Sequence, residues 1–218
     1  MDRFMEAPLV VFRVGGIPIT ETVFISWVIM GVMVGGGFAL TRRLRRTPTG
    51  VQSVLELLVK GLTSLVTMTM GRDKLGFLGY MGALSMYLLI SNILGVTGLR
   101  PPTSDINVTM ALALLTFFAT QYYRFAFRGF GGYLKSFTEP VIFIFPMNII
   151  SELAAPISLG MRLFGNILGG SIIVAMIYSI IPLAIPLPFH LYFDLFVGVV
   201  QTYIFTMLTM VFVKMALE

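Results

Sequence analysis

One arginine, Arg162, lies within a long apolar stretch, where an ionised side chain is costly. The nearest acidic residue before it is Glu152, about 15 Å away if the intervening chain is helical. Because a guanidinium keeps its proton at any working pH, Arg162 needs a carboxylate or water from elsewhere. A structural arginine that reaches an interface is one explanation. A functional charge on an ion pathway is the other, and the one the position favours.

The residues around Arg162 indicate a surface for a second helix. Ser158, Arg162 and Asn166 are spaced by four and share one helix face. Small residues follow on the same helix: Gly165, Gly169 and Gly170. Small side chains let helices approach closely in a membrane, and packing alone would explain the glycines. Beside a charged residue, they favour a close-fitting helix from another chain.

Polar residues recur on the last helix at His190, Asp194 and Gln201, which share one face at α-helical spacing. Such a stripe either lines a water path or supplies hydrogen bonds between helices. Asp105 and Asn107 lie at the beginning of another apolar run. Taken alone, Asp105 is typical of a helix cap.

The composition indicates that these helices lie in lipid. Apolar residues make up 57% of the 218 residues and charged residues 11%, whereas soluble domains carry about 25% charged residues. The basic residues form short clusters between apolar runs, which argues against nucleic-acid binding. There is no cysteine and one histidine, so we expect no disulfide, metal centre or cofactor. Residues 1–20 lack the pattern of a cleaved signal peptide, and we expect the first apolar run to be retained.

Three uncharged runs have the length of a membrane span, at 22–41, 75–99 and 106–123. Basic residues number ten in 42–74 and 124–139 together, against three on the other side. The positive-inside rule therefore places those two segments and the C-terminus in the cytoplasm, and residues 1–21 outside as an N-terminal arm.

Residues 51–70 differ from the spans, because the apolar positions follow helical spacing and Glu56 and Lys60 lie off that line. This pattern predicts an amphipathic helix on the cytoplasmic membrane surface. A further span is the alternative, but it would place both charges near its centre.

Two longer apolar stretches complete the chain, at 140–181 and 189–216, with Pro182, Pro186 and Pro188 around the connection. A helix of about 40 residues reaches about 60 Å, twice the hydrocarbon thickness, so it must tilt or kink. The predicted fold is an all-α integral membrane protein, a single membrane domain over residues 1–218. It has three conventional transmembrane helices, one amphipathic surface helix and a long tilted C-terminal hairpin that forms a wall against a partner.

Four segments resemble the a subunit of F-type ATP synthases, in that family's order. They are Ser-Leu-Gly-Met-Arg-Leu-Phe-Gly-Asn (158–166), Gln-Thr-Tyr-Ile-Phe-Thr-Met-Leu-Thr-Met-Val-Phe (201–212), Ser-Asp-Ile-Asn-Val-Thr (104–109) and Ser-Asn-Ile-Leu-Gly (91–95). The resemblance extends from about residue 20 to the end.

The resemblance implies a static subunit beside a rotating ring of c subunits, each with one carboxylate in the membrane. Two offset aqueous half-channels load and unload that carboxylate, and the arginine matched by Arg162 separates them. The other matched positions, all on the ion pathway, are Asn166, Gln201, Asp105, Asn107 and Glu152. The b subunit of the peripheral stalk, membrane lipid and, indirectly, the soluble ATPase head are the further partners implied.

The sequence departs from the commonest family pattern at Ser171 and Asp194, where many members carry a Glu/His combination. One titratable group replaces two, and His190 lies one turn before Asp194. The proton is the coupling ion we expect, with sodium as the alternative.

Two other functions fit an apolar chain of this kind, a self-contained transporter that uses Arg162 to bind an anion and a non-conducting scaffold. The chain has no internal repeat of the type found in many transporters. It also has no Gly-Lys-Ser/Thr loop, so any nucleotide chemistry must belong to another chain.

Overall fold

The computed structural model describes residues 9–14, 17–42, 50–97, 99–138, 145–180, 188–189 and 191–217. Six α-helices account for most of these residues: α1 (Glu21–Thr41), α2 (Val51–Met70), α3 (Leu78–Ile93), α4 (Ile106–Thr138), α5 (Phe145–Ile180) and α6 (Gly198–Leu217). A π-helical segment, Leu191–Val197, leads directly into α6. Shorter 3₁₀ segments flank α3 and precede α4, at Arg72–Phe77, Leu94–Thr97 and Pro102–Ser104. The predicted all-α fold is confirmed.

Five helical stretches in the described part of the chain are long and apolar enough to cross a membrane. They are Glu21–Thr41, Gln52–Met70, Arg72–Thr97, Phe145–Ser179 and Leu191–Leu217. The set includes α2, and it lacks α4, whose apolar run is interrupted by polar residues such as Asn107, Thr116 and Gln121. The surface position of α2 and the crossing of α4 therefore stay predictions.

The helices α1 and α2 match predicted segments to within one residue, whereas α3 (Leu78–Ile93) is shorter than the predicted span at 75–99 and has 3₁₀ segments at both ends. The segment 51–70 is α2, and α1 begins one residue before the predicted span at 22. The third span begins at Ile106 as expected, but α4 continues beyond 123 to Thr138. Its helical geometry is interrupted at Gly129, where φ is +66°, a conformation that glycine adopts without a Cβ penalty.

A small antiparallel hairpin precedes α1 and was not predicted. Its strands are β1 (Val10–Val14) and β2 (Ile17–Thr20), with Val14 opposite Ile17 and Val10 opposite Thr20. Branched and aromatic residues flank a Gly-Gly pair in the sequence, a pattern typical of hairpins. The N-terminal arm therefore includes strand structure.

Two clusters of buried side chains hold the helices together. The first joins α3, α4, α5 and α6 through Leu84, Leu88, Ala113, Leu159, Leu163 and Phe205. The second joins α2, α3 and α6 through Val66, Met70, Met81, Met210 and Val213. Because α6 belongs to both clusters, it packs centrally and fixes the positions of its neighbours.

Candidate functional site

The face of α5 that carries Arg162 points away from the rest of the chain. Ser158, Arg162 and Asn166 are all exposed, while Leu159 and Leu163, the next residues in the chain after Ser158 and Arg162, are 4% and 0% exposed. In the described part of the chain, Arg162 has no hydrogen bond and no ion pair. The structure therefore brings the three predicted residues together on one outward face, with the guanidinium free to meet another molecule.

Asn166 and Gln201 are joined directly. The Nδ2 atom of Asn166 donates a hydrogen bond of 2.6 Å to Oε1 of Gln201 on α6. Gln201 is 2% exposed, so burial in an apolar setting makes this pairing costly to lose. The bond ties α5 to α6 one helical turn beyond Arg162.

The glycines of α5 have different surroundings. A Cβ at Gly165 or Gly169 would meet no atom within 4 Å. A Cβ at Gly170 would lie 3.2 Å from Cδ1 of Phe193, so this glycine serves packing within the chain. Gly160, which the sequence pattern did not single out, is more crowded. A Cβ added there would lie 2.7 Å from Sδ of Met110 on α4. Open space suited to a second helix is thus confined to Gly165 and Gly169.

Asp194 lies in the π-helical segment, and the structure describes its backbone alone. A π-helix is wider than an α-helix and recurs at functional sites. The α-helical spacing that placed Asp194 on the face of Gln201 therefore does not apply across this segment. His190 lies outside the described residues. Ser171 donates a hydrogen bond of 2.8 Å to the carbonyl of Leu168 and follows Gly170, the residue packed against Phe193.

Asp105 caps α4 and also joins it to α1. Its Oδ1 accepts hydrogen bonds from the backbone N–H of Asn107 at 2.9 Å and from Asn107 Nδ2 at 3.1 Å. Its Oδ2 accepts a hydrogen bond of 2.7 Å from the hydroxyl of Thr22 on α1. Asp105 is 6% exposed, whereas Asn107 is exposed. The cap expected from sequence is present, with an interhelical contact that the sequence did not indicate.

Asn92 on α3 also makes hydrogen bonds to other segments of the chain. Its Nδ2 donates to the carbonyl of Gly198 at 3.0 Å and to Oγ1 of Thr202 at 3.1 Å, and its Oδ1 accepts from Thr103 at 2.9 Å. A Cβ at Gly198 would lie 2.9 Å from Cβ of Asn92. The glycine therefore allows α3 to approach the beginning of α6.

Glu152 lies at a cavity of about 400 Å³ between α4, α5 and α6. Its Oε1 accepts a hydrogen bond of 2.7 Å from Nε2 of Gln121 and pairs with Nη1 of Arg124. Other lining residues include Thr116, Thr120, Asn148 and Ser151. In the sequence, Arg124 indicated only the topology, and Gln121 was not identified. A charge at the end of the third span is visible in the sequence, but the pairing of Arg124 with Glu152 on α5 is not.

The sequence model of the ATP synthase A chain family matches residues 23–214. The chain is 38% identical over 206 residues to ATP synthase subunit a 2 of Bradyrhizobium sp., covering 94% of this chain and 92% of that one. It is 34% identical over 207 residues to ATP synthase subunit a of Moorella thermoacetica, covering 94% of both. It is 36% identical over 230 residues to ATP synthase subunit a, sodium ion specific, of Propionigenium modestum, covering 98% and 80%.

The resemblance noted at four segments thus extends over nearly the whole chain, and it agrees with the apolar helices. A match over this much of the chain is incompatible with an unrelated fold. The chain belongs to the ATP synthase subunit a family and is a multi-pass membrane protein of the Fo sector.

Proposed function

We propose that this chain is the stator of the Fo motor and that Arg162 separates two half-channels leading to and from the carboxylates of a c ring. The observation that carries the proposal is the outward position of Arg162, which has no anionic partner among the described residues. An uncompensated guanidinium in lipid is costly, so its counter-charge comes from outside the chain.

The strength of the attraction suits a passing partner. Two unit charges about 4 Å apart interact by roughly 4 kcal/mol at an effective dielectric near 20. Near Arg162 the ionised carboxylate is favoured and the ion leaves. Away from Arg162 a bare carboxylate in lipid is costly, so the ring turns onward only after an ion has been taken up.

Glu152 borders the proposed cytoplasmic path. The cavity beside it has both polar and apolar lining residues and reaches the buried Leu159, one turn before Leu163. A cavity of this size is large enough to hold several waters. Water there would connect the cytoplasm to the region of Arg162.

The proposed outer path passes the beginning of α4 and the π-helical segment. Asp105 and Asn107 lie at its mouth, and Ser171, Asp194 and His190 form the family-matched relay region. The packing of Gly170 on Phe193 brings the neighbouring positions, Ser171 and Asp194, onto adjoining segments, which supports a shared role.

The proposed topology has the N-terminus outside and the C-terminus in the cytoplasm, as in a bacterial plasma membrane. The contact of Thr22 with Asp105 puts the beginnings of α1 and α4 at one level. The buried cluster that Met70 shares with Met210 and Val213 puts the end of α2 beside the second half of α6, at another level. Both agree with that arrangement. The further proposed partners are the b subunit, the ATPase head through the stalk, and lipid.

The proton is the proposed coupling ion, and the sodium-ion-specific relative makes sodium the alternative to test. In vesicles that contain the complex, synthesis driven by a pH gradient should proceed without added sodium. Synthesis that requires sodium and is insensitive to a proton uncoupler would assign the other ion.

The stator role is tested by crosslinking, since the chain has no native cysteine. Ser158→Cys should crosslink to cysteines placed beside the ring carboxylate, because Ser158 shares the exposed face of Arg162. Phe118→Cys on α4, where the native side chain is 65% exposed, is the matched control and should not react. Equal reaction at both positions, or reaction at Phe118 alone, would contradict the proposed face.

A further inference from the structure

The cavity between α4, α5 and α6 contains one ion pair. Of the described residues that line it, Arg124 and Glu152 alone are charged. Their side chains are 19% and 16% exposed, so both charges are largely removed from solvent. Removing one partner of such a pair leaves the other uncompensated, which costs far more than removing both.

Two donors from one turn of α4 converge on a single atom of α5. Gln121 and Arg124 both bond Oε1 of Glu152. Oε2 of Glu152 accepts no hydrogen bond from the described residues. Oε1 of Gln121 is buried and has no hydrogen-bond partner among the described residues either. An unmet buried acceptor such as Oε1 of Gln121 is costly, and the adjoining cavity is large enough for water to bond both oxygens.

This geometry is poorly suited to a group that takes up and releases protons. Protonation of Glu152 would leave Arg124 as a largely buried cation without a counter-charge, and a guanidinium cannot neutralise itself. No other charged residue lines the cavity among the described residues. The two residues that α6 contributes, Phe212 and Met215, are uncharged. Arg124 is therefore the one counter-charge of Glu152 among the described residues that line the cavity.

We propose that Arg124 is a positioning residue, which compensates the charge of Glu152, ties α4 to α5, and makes the pair a neutral border of a water path instead of a proton relay. This inference rests on the proposed function, in which the cavity is the cytoplasmic half-channel. The carboxylate oxygen Oε2 and the amide oxygen of Gln121 order the water, and protons pass along that water.

The test is a double-substitution cycle in assembled complexes reconstituted into liposomes, with rates of proton-driven ATP synthesis normalised to the amount of complex. Arg124→Gln and Glu152→Gln should each slow synthesis about tenfold or more, because each leaves one charge unpaired. The double variant should recover most of the lost rate, since two amides keep a hydrogen bond and remove both charges. A double variant as slow as Glu152→Gln would show that the carboxyl itself carries protons and would overturn the proposal.

A pH profile distinguishes an Arg124 that compensates the charge of Glu152 from one that only holds α4 and α5 together. With the proton-motive force held constant, Arg124→Gln should change how the rate depends on the pH of the cytoplasmic side, because only this variant has a carboxyl without its fixed cation. The wild type, the double variant and Arg124→Lys should share one profile. Arg124→Gln with an unchanged profile, or Arg124→Lys behaving like Arg124→Gln, would contradict the inference. Lys60→Gln, which removes an exposed cation on α2, is the matched control.

The outcomes also separate this inference from the stator proposal. If Arg162→Ala abolishes synthesis while the double variant stays slow, the inference about Arg124 alone fails. If Arg162→Ala supports synthesis, the proposed function fails, whatever the cycle gives.

Discussion

Asn166 donates a 2.6 Å hydrogen bond to Gln201, and this bond joins α5 to α6 one turn beyond Arg162. One end of the pair is exposed on the arginine face and the other is buried. A buried acceptor makes the bond costly to break. The backbone that carries Arg162 is therefore held against the central helix, while the guanidinium itself stays free for an external partner.

Arg162→Ala is expected to abolish ion-driven ATP synthesis, because no other described residue of this chain presents a cation on that face of α5. Arg162→Lys should restore little, since a compact ammonium lacks the planar donor geometry of a guanidinium. The measurement is synthesis by reconstituted complexes under an imposed gradient, together with passive ion leak. Synthesis near the wild-type rate in Arg162→Ala would contradict the stator mechanism.

Asp194→Asn is expected to slow proton-driven synthesis severely and to leave assembly intact. The amide preserves shape and hydrogen bonding but cannot exchange a proton, and Asp194 is the one carboxylate of the last helix before the C-terminus. Asp194→Glu should retain substantial activity because the chemistry is preserved. Rates over a range of pH in fully assembled complexes check both. An Asn variant with the wild-type rate and pH profile would mean that Asp194 is structural.

Gly198→Ala is expected to destabilise the complex. The new methyl would lie 2.9 Å from Cβ of Asn92 and force α6 away from α3, and overpacking of this kind costs about 1–3 kcal/mol. The melting temperature of the detergent-solubilised complex should fall. Gly79→Ala is the control, since a Cβ there meets nothing within 4 Å and alanine favours the helix. An equal or higher melting temperature in Gly198→Ala would refute the close approach.

Thr22→Val is expected to weaken the contact between α1 and α4. The substitution keeps the shape but removes the hydroxyl that bonds Oδ2 of Asp105, and an unsatisfied buried acceptor costs about 1–3 kcal/mol. Thr63→Val is the matched control, because the hydroxyl of Thr63 bonds only the carbonyl of Val59 in its own helix. Limited proteolysis of the solubilised complex should release α1 faster in Thr22→Val alone. Indistinguishable cleavage of the two variants would contradict the role assigned to Thr22.

The sequence by itself determined the helical class, the bounds of α1 and α2, the beginning of α4 and the outward residue Arg162. These features depend on local patterns: uncharged length, helical spacing of apolar residues, and a polar residue at a helix start. The functional segments were visible for the same reason, since the motif around Arg162 is contiguous in the chain. The early hairpin was equally local, and its Gly-Gly pair could have predicted it.

Only the tertiary structure decided which polar residues meet. Thr22 and Asp105 are 83 positions apart, Asn92 and Gly198 are 106 apart, and Arg124 and Glu152 are 28 apart. A sequence pattern reports whether each residue suits lipid, water or a helix face, which is a property of that residue and its neighbours. A hydrogen bond between helices depends on their relative rotation and separation, which packing at residues such as Gly160 and Gly198 sets. The same limit applies to the π-helical turn at Asp194, because a helix of wider turn changes which face each residue occupies.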